Sequence, residues 1–468
     1  MRLARVVATL GAISIITAAA SCDAPRPDGI AGCATDLYEF KPSPHSSSAA
    51  ARSGITGRPT PAFDVQPILP AAQPADIYQG LIAAIDSLGQ QLGPPAPGQP
   101  RYFNILALSG GGQWGAYGAG FLNGWRAFDK VDANIANYRK NYGRPHQLRR
   151  DIHIVTGVST GAAQGPLAYV GSTADERLAA AADARLTLEY TQVVQGDIIA
   201  GRPGGYLAAL YSNSLYSVDG LERHAASIVD DYFGAMKNAP DHRRLFVGLT
   251  NLDRNAFVMA DLKAMTDRAS STTERRQKAC LTETLLGSAA VPLAFPPRFI
   301  DRNMYVDGSV RYGLFATQLL GDPRVRERLR AHRLTPYVSV IINGNQSADG
   351  YKATPPKEQK NSAIPIATKS VQIMVDQVYK DSAYRIENDL IAIFGASYVS
   401  RYTYIDNATI RESEFPACIR AKNDPVEREF DQQLMQCLHE LGLRQGQDAM
   451  RPWLTFAQTP TTLAPKGR

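Results

Sequence analysis

Apolar positions recur with two periods along this chain, and their alternation predicts the order of its elements. Ile77, Leu81, Ile82, Ile85 and Leu88 fall at helical spacing and predict an outer helix over 75–92, ended by the Pro-rich stop of 93–100. Phe103, Ile105, Leu106 and Leu108 predict a first strand, which runs into Ser109-Gly110-Gly111-Gly112 and a small-residue helix over 113–125. A polar stretch, 131–150, leads to a second apolar run, Ile152, Ile154 and Val155. That run enters Gly157-Val158-Ser159-Thr160-Gly161 and the start of a helix over 160–168. Residues 174–236 are helix-prone with a break at 201–205, and 245–251 and 256–262 read as paired strands about a turn at 253–255. A helix over 283–290 ends at Pro292, the stretch 299–306 enters Asp307-Gly308-Ser309, and 337–342 is a further buried strand. Strand, glycine turn, helix, strand, sharp turn, helix predicts an α/β fold with a largely parallel sheet.

The character changes past residue 345. A polar loop precedes a long helix-prone region over 364–394, a strand-like stretch over 398–405 and a polar tail bracketed by Cys418 and Cys437. The expected organisation is a removable leader over 1–21, a Pro/Ser/Ala-rich flexible tether over 22–62, a folded domain over 63–345, and a mainly helical C-terminal extension over 346–468 packed on it. Either completing the core or covering a site is open to that extension.

Composition adds a compartment. In 468 residues, 44% apolar content suffices for ordinary cores, and the net charge of +6 falls to +4 once Arg2 and Arg5 are set aside with the leader. That excess is too small to imply a nucleic-acid partner, and Arg324, Arg326, Arg328 and Arg330 read as a solvated helix face. Arg2 and Arg5 precede an apolar run, Val6 to Ala20, too short to span a bilayer comfortably and ending Ala-Ala-Ser-Cys. Small residues before Cys22 resemble a bacterial lipobox, which implies export to the cell envelope and lipidation at Cys22, facing the periplasm or exterior. Ala19 stands where leucine is usual, so ordinary cleavage near Ala20 is the alternative. Without Cys22 the chain has Cys33, Cys280, Cys418 and Cys437, an even number suited to an oxidising compartment. Cys418–Cys437 is the favoured pair because the two bracket a short helix-prone segment. No cysteine has a C-x-x-C partner and the histidines are scattered, so no metal site and no cofactor are expected.

The chemistry concentrates at three points. Gly157-Val158-Ser159-Thr160-Gly161 is a G-x-S-x-G pattern, in which a sharp strand-to-helix turn projects the serine hydroxyl above the sheet. A serine hydroxyl needs a base to take its proton and preorganised donors where an oxyanion develops. Gly110, Gly111 and Gly112 can supply such donors as successive backbone N–H groups at a helix start. Gly110, Gly112 and Gly115 also satisfy the dinucleotide fingerprint, but 131–150 lacks the second strand with an acidic end which that fold requires. For a base, only His332 and His439 follow Asp307. His332 sits at a charged helix end and His439 in the cysteine-bracketed tail, while His153 lies in the nucleophile's own strand. Asp307, at the end of Met304-Tyr305-Val306 and before Gly308, is better placed, although an ordinary Asp-Gly turn would look the same.

Taken together, these residues resemble the patatin-like phospholipase family, over roughly 103–345. The resemblance rests on Ser109-Gly110-Gly111-Gly112-x-x-Gly115, Gly157-Val158-Ser159-Thr160-Gly161 and Asp307-Gly308, and on Ser288-Ala289-Ala290-Val291-Pro292 with Phe295-Pro296-Pro297. It implies a Ser-Asp dyad without histidine, on a three-layer α/β/α sandwich with a mostly parallel central sheet. Ser159 would be the acyl-enzyme nucleophile, Asp307 the base for Ser159 and then for water, and Gly110, Gly111 and Gly112 the oxyanion hole. The substrate implied is a lipid or phospholipid acyl ester at a membrane surface. Trp114 stands where the family carries Arg or Lys, and Ser309 where a second glycine is usual, so a positive φ there would strain the serine. A histidine-free dyad also predicts no essential ionisation near histidine's ordinary value of about 6.5. The competing expectations are a Ser-His-Asp esterase using His332 or His439, and an envelope lipoprotein that binds lipid or a partner protein without catalysis.

Overall fold

The computed structural model describes residues 26–42, 63–67, 76–96, 98–143, 146–203, 212–345, 350–352, 358, 360–426, 428–448 and 452–454. The leader expected over 1–21, and Cys22, lie outside the described residues. In chain order the main elements are β1 (Leu37–Pro42), β2 (Phe63–Pro67), α1 (Ile77–Leu92), β3 (Arg101–Leu108), α2 (Gly115–Asp129), β4 (Ile154–Val158) and α3 (Thr160–Gly171). There follow α4 (Asp219–Lys237), β5 (Arg244–Asn251), β6 (Ala256–Asp261), α5 (Glu274–Ser288), β7 (Arg298–Ile300) and β8 (Asn303–Asp307). The chain then runs through β9 (Leu334–Ile341), α6 (Ala363–Phe394), β10 (Val399–Thr403) and α7 (Gln432–Gln447).

These ten strands form one mixed sheet in the order β10-β9-β3-β4-β5-β6-β1-β2, with β8 paired to β5 and β7 to β8. Strands β10, β9, β3, β4 and β5 are mutually parallel, and the pairings β5–β6, β6–β1, β1–β2, β8–β5 and β7–β8 are antiparallel. Buried side chains from α2, α3, α4, α5 and α7 fill one face of the sheet, and those from α1, the short helices after Asp307 and the second half of α6 fill the other. The three-layer arrangement follows from the residues. Central strands such as β4 are buried on both faces, so helices must cover both.

Most expected elements form near their expected bounds, and the differences have local causes. The helix expected from 75 starts at Ile77 because the Asp76 side chain caps it, accepting from Tyr78 N at 2.9 Å. The polar stretch after Val131 contains a helix, Asp132–Tyr142, whose single buried residue is Tyr138, which explains its lack of periodicity. It supplies no second strand, consistent with setting the dinucleotide reading aside.

The flexible tether expected over 22–62 is corrected for residues 26–42. Leu37, Tyr38 and Phe40 are buried, β1 pairs with β6, and Cys33 is bonded to Cys280 in α5. A short run with apolar side chains facing both ways is unremarkable in isolation, but it fits between β6 and β2 in the sheet. The favoured Cys418–Cys437 bond is present.

The C-terminal region is built into the core. β10 extends the parallel sheet beside β9, and α7 lies directly on α2. Gly120 and Gly442 make this possible, since a Cβ on either would meet the other helix's backbone, at His439 and Tyr117 respectively. Among the described residues, no helix is long and apolar enough to cross a membrane.

Candidate active site

The parallel strands place their chemistry at their C-terminal ends. From β3 the chain moves to β4 on one side and later returns to β9 on the other, which makes β3 the point where strand order reverses. In open α/β sheets that crevice is where ligands bind. The glycine loop leaves the end of β3 there, and Ser159 leaves the end of β4.

Ser159 has φ 56° and ψ −123° and caps α3, so the strained elbow expected from G-x-S-x-G is present. Gly157 and Gly161 allow it. A Cβ on Gly157 would strike the Gly161 carbonyl, and one on Gly161 the Leu108 carbonyl. The N–H of Ser159 donates to Ser288 Oγ at 3.0 Å, and Ser288 Oγ donates to the Gly248 carbonyl at 2.6 Å.

Register brings the acid to the serine. Val158 lies opposite Gly248 across the parallel β4–β5 pair, and Asp307 opposite Leu249 across the antiparallel β5–β8 pair. The Asp307 N–H donates to the Ala290 carbonyl at 2.9 Å. The segment 288–292 therefore ties down both groups, Ser159 through Ser288 and Asp307 through Ala290. Sequence reading had marked this segment without giving it a role.

Asp307 is fully buried, and burial pushes its carboxyl up to about 6 against the opposing pull of hydrogen bonds from Ser159 and Ser309. Its Oδ1 accepts from Ser309 N at 2.8 Å and Ser309 Oγ at 2.5 Å. Its Oδ2 has no closely aligned partner, while the Ser159 hydroxyl lies near enough to favour the carboxylate form. Two expectations change here. Ser309, in the turn where a glycine is usual, does not have positive φ and holds the carboxylate instead of straining the loop. A carboxyl near 6 also titrates close to histidine's range, so an ionisation there no longer argues against the dyad.

In the glycine loop, the Gly110 N–H makes a long bond to the Gly313 carbonyl at 3.4 Å. The N–H groups of Gly111 and Gly112 donate to nothing among the described residues. The loop is braced by Asn343 at the end of β9, whose N–H donates to Ser109 Oγ at 2.7 Å and whose Nδ2 donates to the Ser109 carbonyl at 2.8 Å and to Gln164 Oε1 at 3.0 Å. Gln164, on α3 behind the serine, donates in turn to the Gly115 carbonyl at 2.6 Å. Asn343 and Gln164 carry no motif in the sequence, and the motifs that contain Ser288 and Ser309 give neither a bracing role. Asn343, Gln164 and Ser288 work through contacts distant in the chain, whereas Ser309 acts on Asp307 two residues away.

The histidines are elsewhere. His332 bonds Asp86 on α1 at 2.7 Å, His153 Nδ1 accepts from Asn104 N at 2.9 Å, and His439 lies beside Asn123 and Thr187. Burial pushes His153 down to about 3 and His439 to about 4, so both are neutral. Among the described residues, no histidine hydrogen-bonds to Ser159 or Asp307. Trp114, in the turn before α2, sets its ring edge-on against Tyr351 at 6.0 Å.

A strained serine, a buried carboxylate and a glycine loop at a sheet's switch point define a patatin-type α/β fold. Residues 106–320 match the patatin-like phospholipase family, whose activity is lipid acyl hydrolysis. None of the curated proteins matches the chain in sequence. The crystal structure of VipD from Legionella pneumophila is similar at 14% identity and a TM-score of 0.25, over 74% of this chain and 69% of that one. That superposition is too loose to carry residue correspondences.

Proposed function

We propose that this protein hydrolyses lipid acyl esters, in the manner of a phospholipase A or lysophospholipase, through a Ser159–Asp307 dyad. The observation that carries the reading is the buried Asp307 carboxyl beside the strained Ser159, with no histidine bonded to either among the described residues. A carboxyl held near 6 is a stronger base than an ordinary aspartate and is still ionised at neutral pH. Ser159 Oγ attacks the acyl carbonyl carbon and its proton passes to Asp307. The resulting oxyanion lies against the open N–H groups of Gly111 and Gly112, with Gly110 alongside. Collapse breaks the ester C–O bond, and the alcohol leaves with the proton from Asp307. Asp307 then takes a proton from water, whose oxygen attacks the acyl-enzyme; as the acyl–Oγ bond breaks, Asp307 returns the proton to Ser159 Oγ, releasing the fatty acid and restoring both groups.

The expected result is fatty acid release from phosphatidylcholine vesicles and covalent capture by a fluorophosphonate probe, mapped to the peptide containing Ser159. Neither lipid release nor labelling would leave a binding protein as the reading.

The lipobox-like leader and the two disulfides support an exported protein held at a membrane surface through Cys22. Substitution Cys22→Ser is expected to move the protein from the membrane to the soluble fraction of an expressing bacterium. Unchanged membrane retention would remove the anchor.

A further inference from the structure

Beyond Asn343, the region past the matched family span reaches into the site at a further residue. Tyr379 lies midway along α6, is 3% exposed, and its ring fills a slot lined by glycines from three separate segments. A Cβ on Gly110 would stand 2.6 Å from the Tyr379 hydroxyl oxygen, one on Gly313 2.5 Å from its ring, and one on Gly344 2.8 Å from its ring. Gly313 also joins α6 to the glycine loop, because its N–H donates to Ser382 Oγ at 2.9 Å and its carbonyl accepts from Gly110 N at 3.4 Å. The phenol oxygen stands against the glycine loop at Gly110, with the Ser159 and Ser309 hydroxyls near enough to act on it.

Burial, together with the charges of Asp307 and Asp376, pushes the Tyr379 phenol well above its ordinary value, so it keeps its proton throughout turnover. A neutral phenol has one proton to donate. Ser309 Oγ already gives its own proton to Asp307, and Ser159 Oγ faces the same carboxyl. The phenol O–H is then the donor toward the serine oxygens.

We propose that Tyr379 is a working member of the dyad site. Its hydroxyl donates to Ser159 Oγ in the resting enzyme, holding that oxygen between itself and Asp307, and turns to the oxyanion once Oγ is bonded to the acyl carbon. The shift follows from basicity. An oxygen bonded to an acyl carbon is a weak acceptor, and the neighbouring oxyanion is a strong one. A contact that strengthens at the transition state raises kcat and leaves substrate affinity nearly unchanged. A tyrosine that only filled the slot would have no need of its hydroxyl.

The proposal rests on the Ser159–Asp307 reading, and the test separates the two. Tyr379→Phe keeps the ring in its slot. It is expected to retain the wild-type melting temperature, lower kcat on a p-nitrophenyl butyrate substrate by about 10–100-fold, and leave KM within about threefold. The rate of fluorophosphonate labelling should fall with kcat. Incorporation of 3-fluorotyrosine at 379, which retains shape and hydroxyl, should keep kcat within about threefold of wild type and serves as the test if the Phe variant fails to fold. Wild-type kcat in Tyr379→Phe would make the residue a space-filler, and a raised kcat would make it a plug; either overturns the proposal. Loss of kcat with 3-fluorotyrosine would also count against it. Full activity in a parallel Ser159→Ala sample would instead remove the dyad, and the role of Tyr379 with it.

Discussion

Ser159→Ala and Asp307→Asn each lower kcat/KM on a short-chain p-nitrophenyl ester by about 10⁴-fold or more, while His332→Ala and His439→Gln stay within about threefold of wild type. The loss is large because the two groups act as a unit. Without Ser159 there is no acyl-enzyme, and without the Asp307 carboxylate nothing at the site accepts the serine proton. The histidines differ because His332 is bonded to Asp86 on an outer helix and His439 is a neutral side chain between α2 and α7. Full activity in Asp307→Asn would sink the dyad, and a 10⁴-fold loss in His332→Ala would replace it with a histidine mechanism.

The same substitution reads out the buried charge. In wild type, kcat/KM should rise with pH through one ionisation near Asp307's value of about 6. Stability runs the other way. The folded-state carboxyl is raised from 3.8 to about 6, so below 3.8 it is neutral in both states and makes no difference. As pH rises between those values the unfolded chain loses its proton first, and the fold loses stability that is not recovered above 6. The difference corresponds to about 3 kcal/mol, an order-of-magnitude figure. Asp307→Asn cannot ionise, so relative to wild type it should be more stable at pH 8 than at pH 3.5. Equal pH dependence of denaturant midpoints in the two proteins would show that the carboxyl is not held up by burial.

Removing the Cys33–Cys280 bond, as the Cys33→Ala/Cys280→Ala pair, is expected to destabilise the protein by about 5 kcal/mol on the chain-entropy estimate, for a sequence separation of 247. The shorter Cys418–Cys437 closure, with a separation of 19, gives about 3 kcal/mol on the same basis. The long bond also anchors the segment leading into β1, which covers the edge of β6. Denaturant unfolding should therefore show an early transition in the double variant, with amide exchange appearing first at Leu37 to Phe40. A change of less than about 1 kcal/mol would mean that β1 holds itself in place without the bond.

Local patterns were enough for much of this architecture. The β3 strand stood out because four large apolar residues lie within six positions, and the elbow because Gly157 and Gly161 flank a serine after a buried run. The absence of a suitable histidine was informative too, since it directed attention to Asp307 before any geometry was known. Strand β1 was missed for the opposite reason. Leu37, Tyr38 and Phe40 acquire meaning only beside β6, which lies more than two hundred residues later.

The sequence by itself determined most of the order of strands and helices from β3 onward, the strained serine and the donor-rich glycine loop, because each depends on residues adjacent in the chain. Only the tertiary structure decided which groups share the site. The Ser288 and Ala290 contacts, the Asn343 brace and the entry of Tyr379 from α6 all depend on distant segments meeting at the ends of parallel strands. The basicity of Asp307 belongs to the same class. An aspartate in sequence has an ordinary carboxyl, and complete burial, against the opposing pull of two serine hydroxyls, is what moves it to about 6.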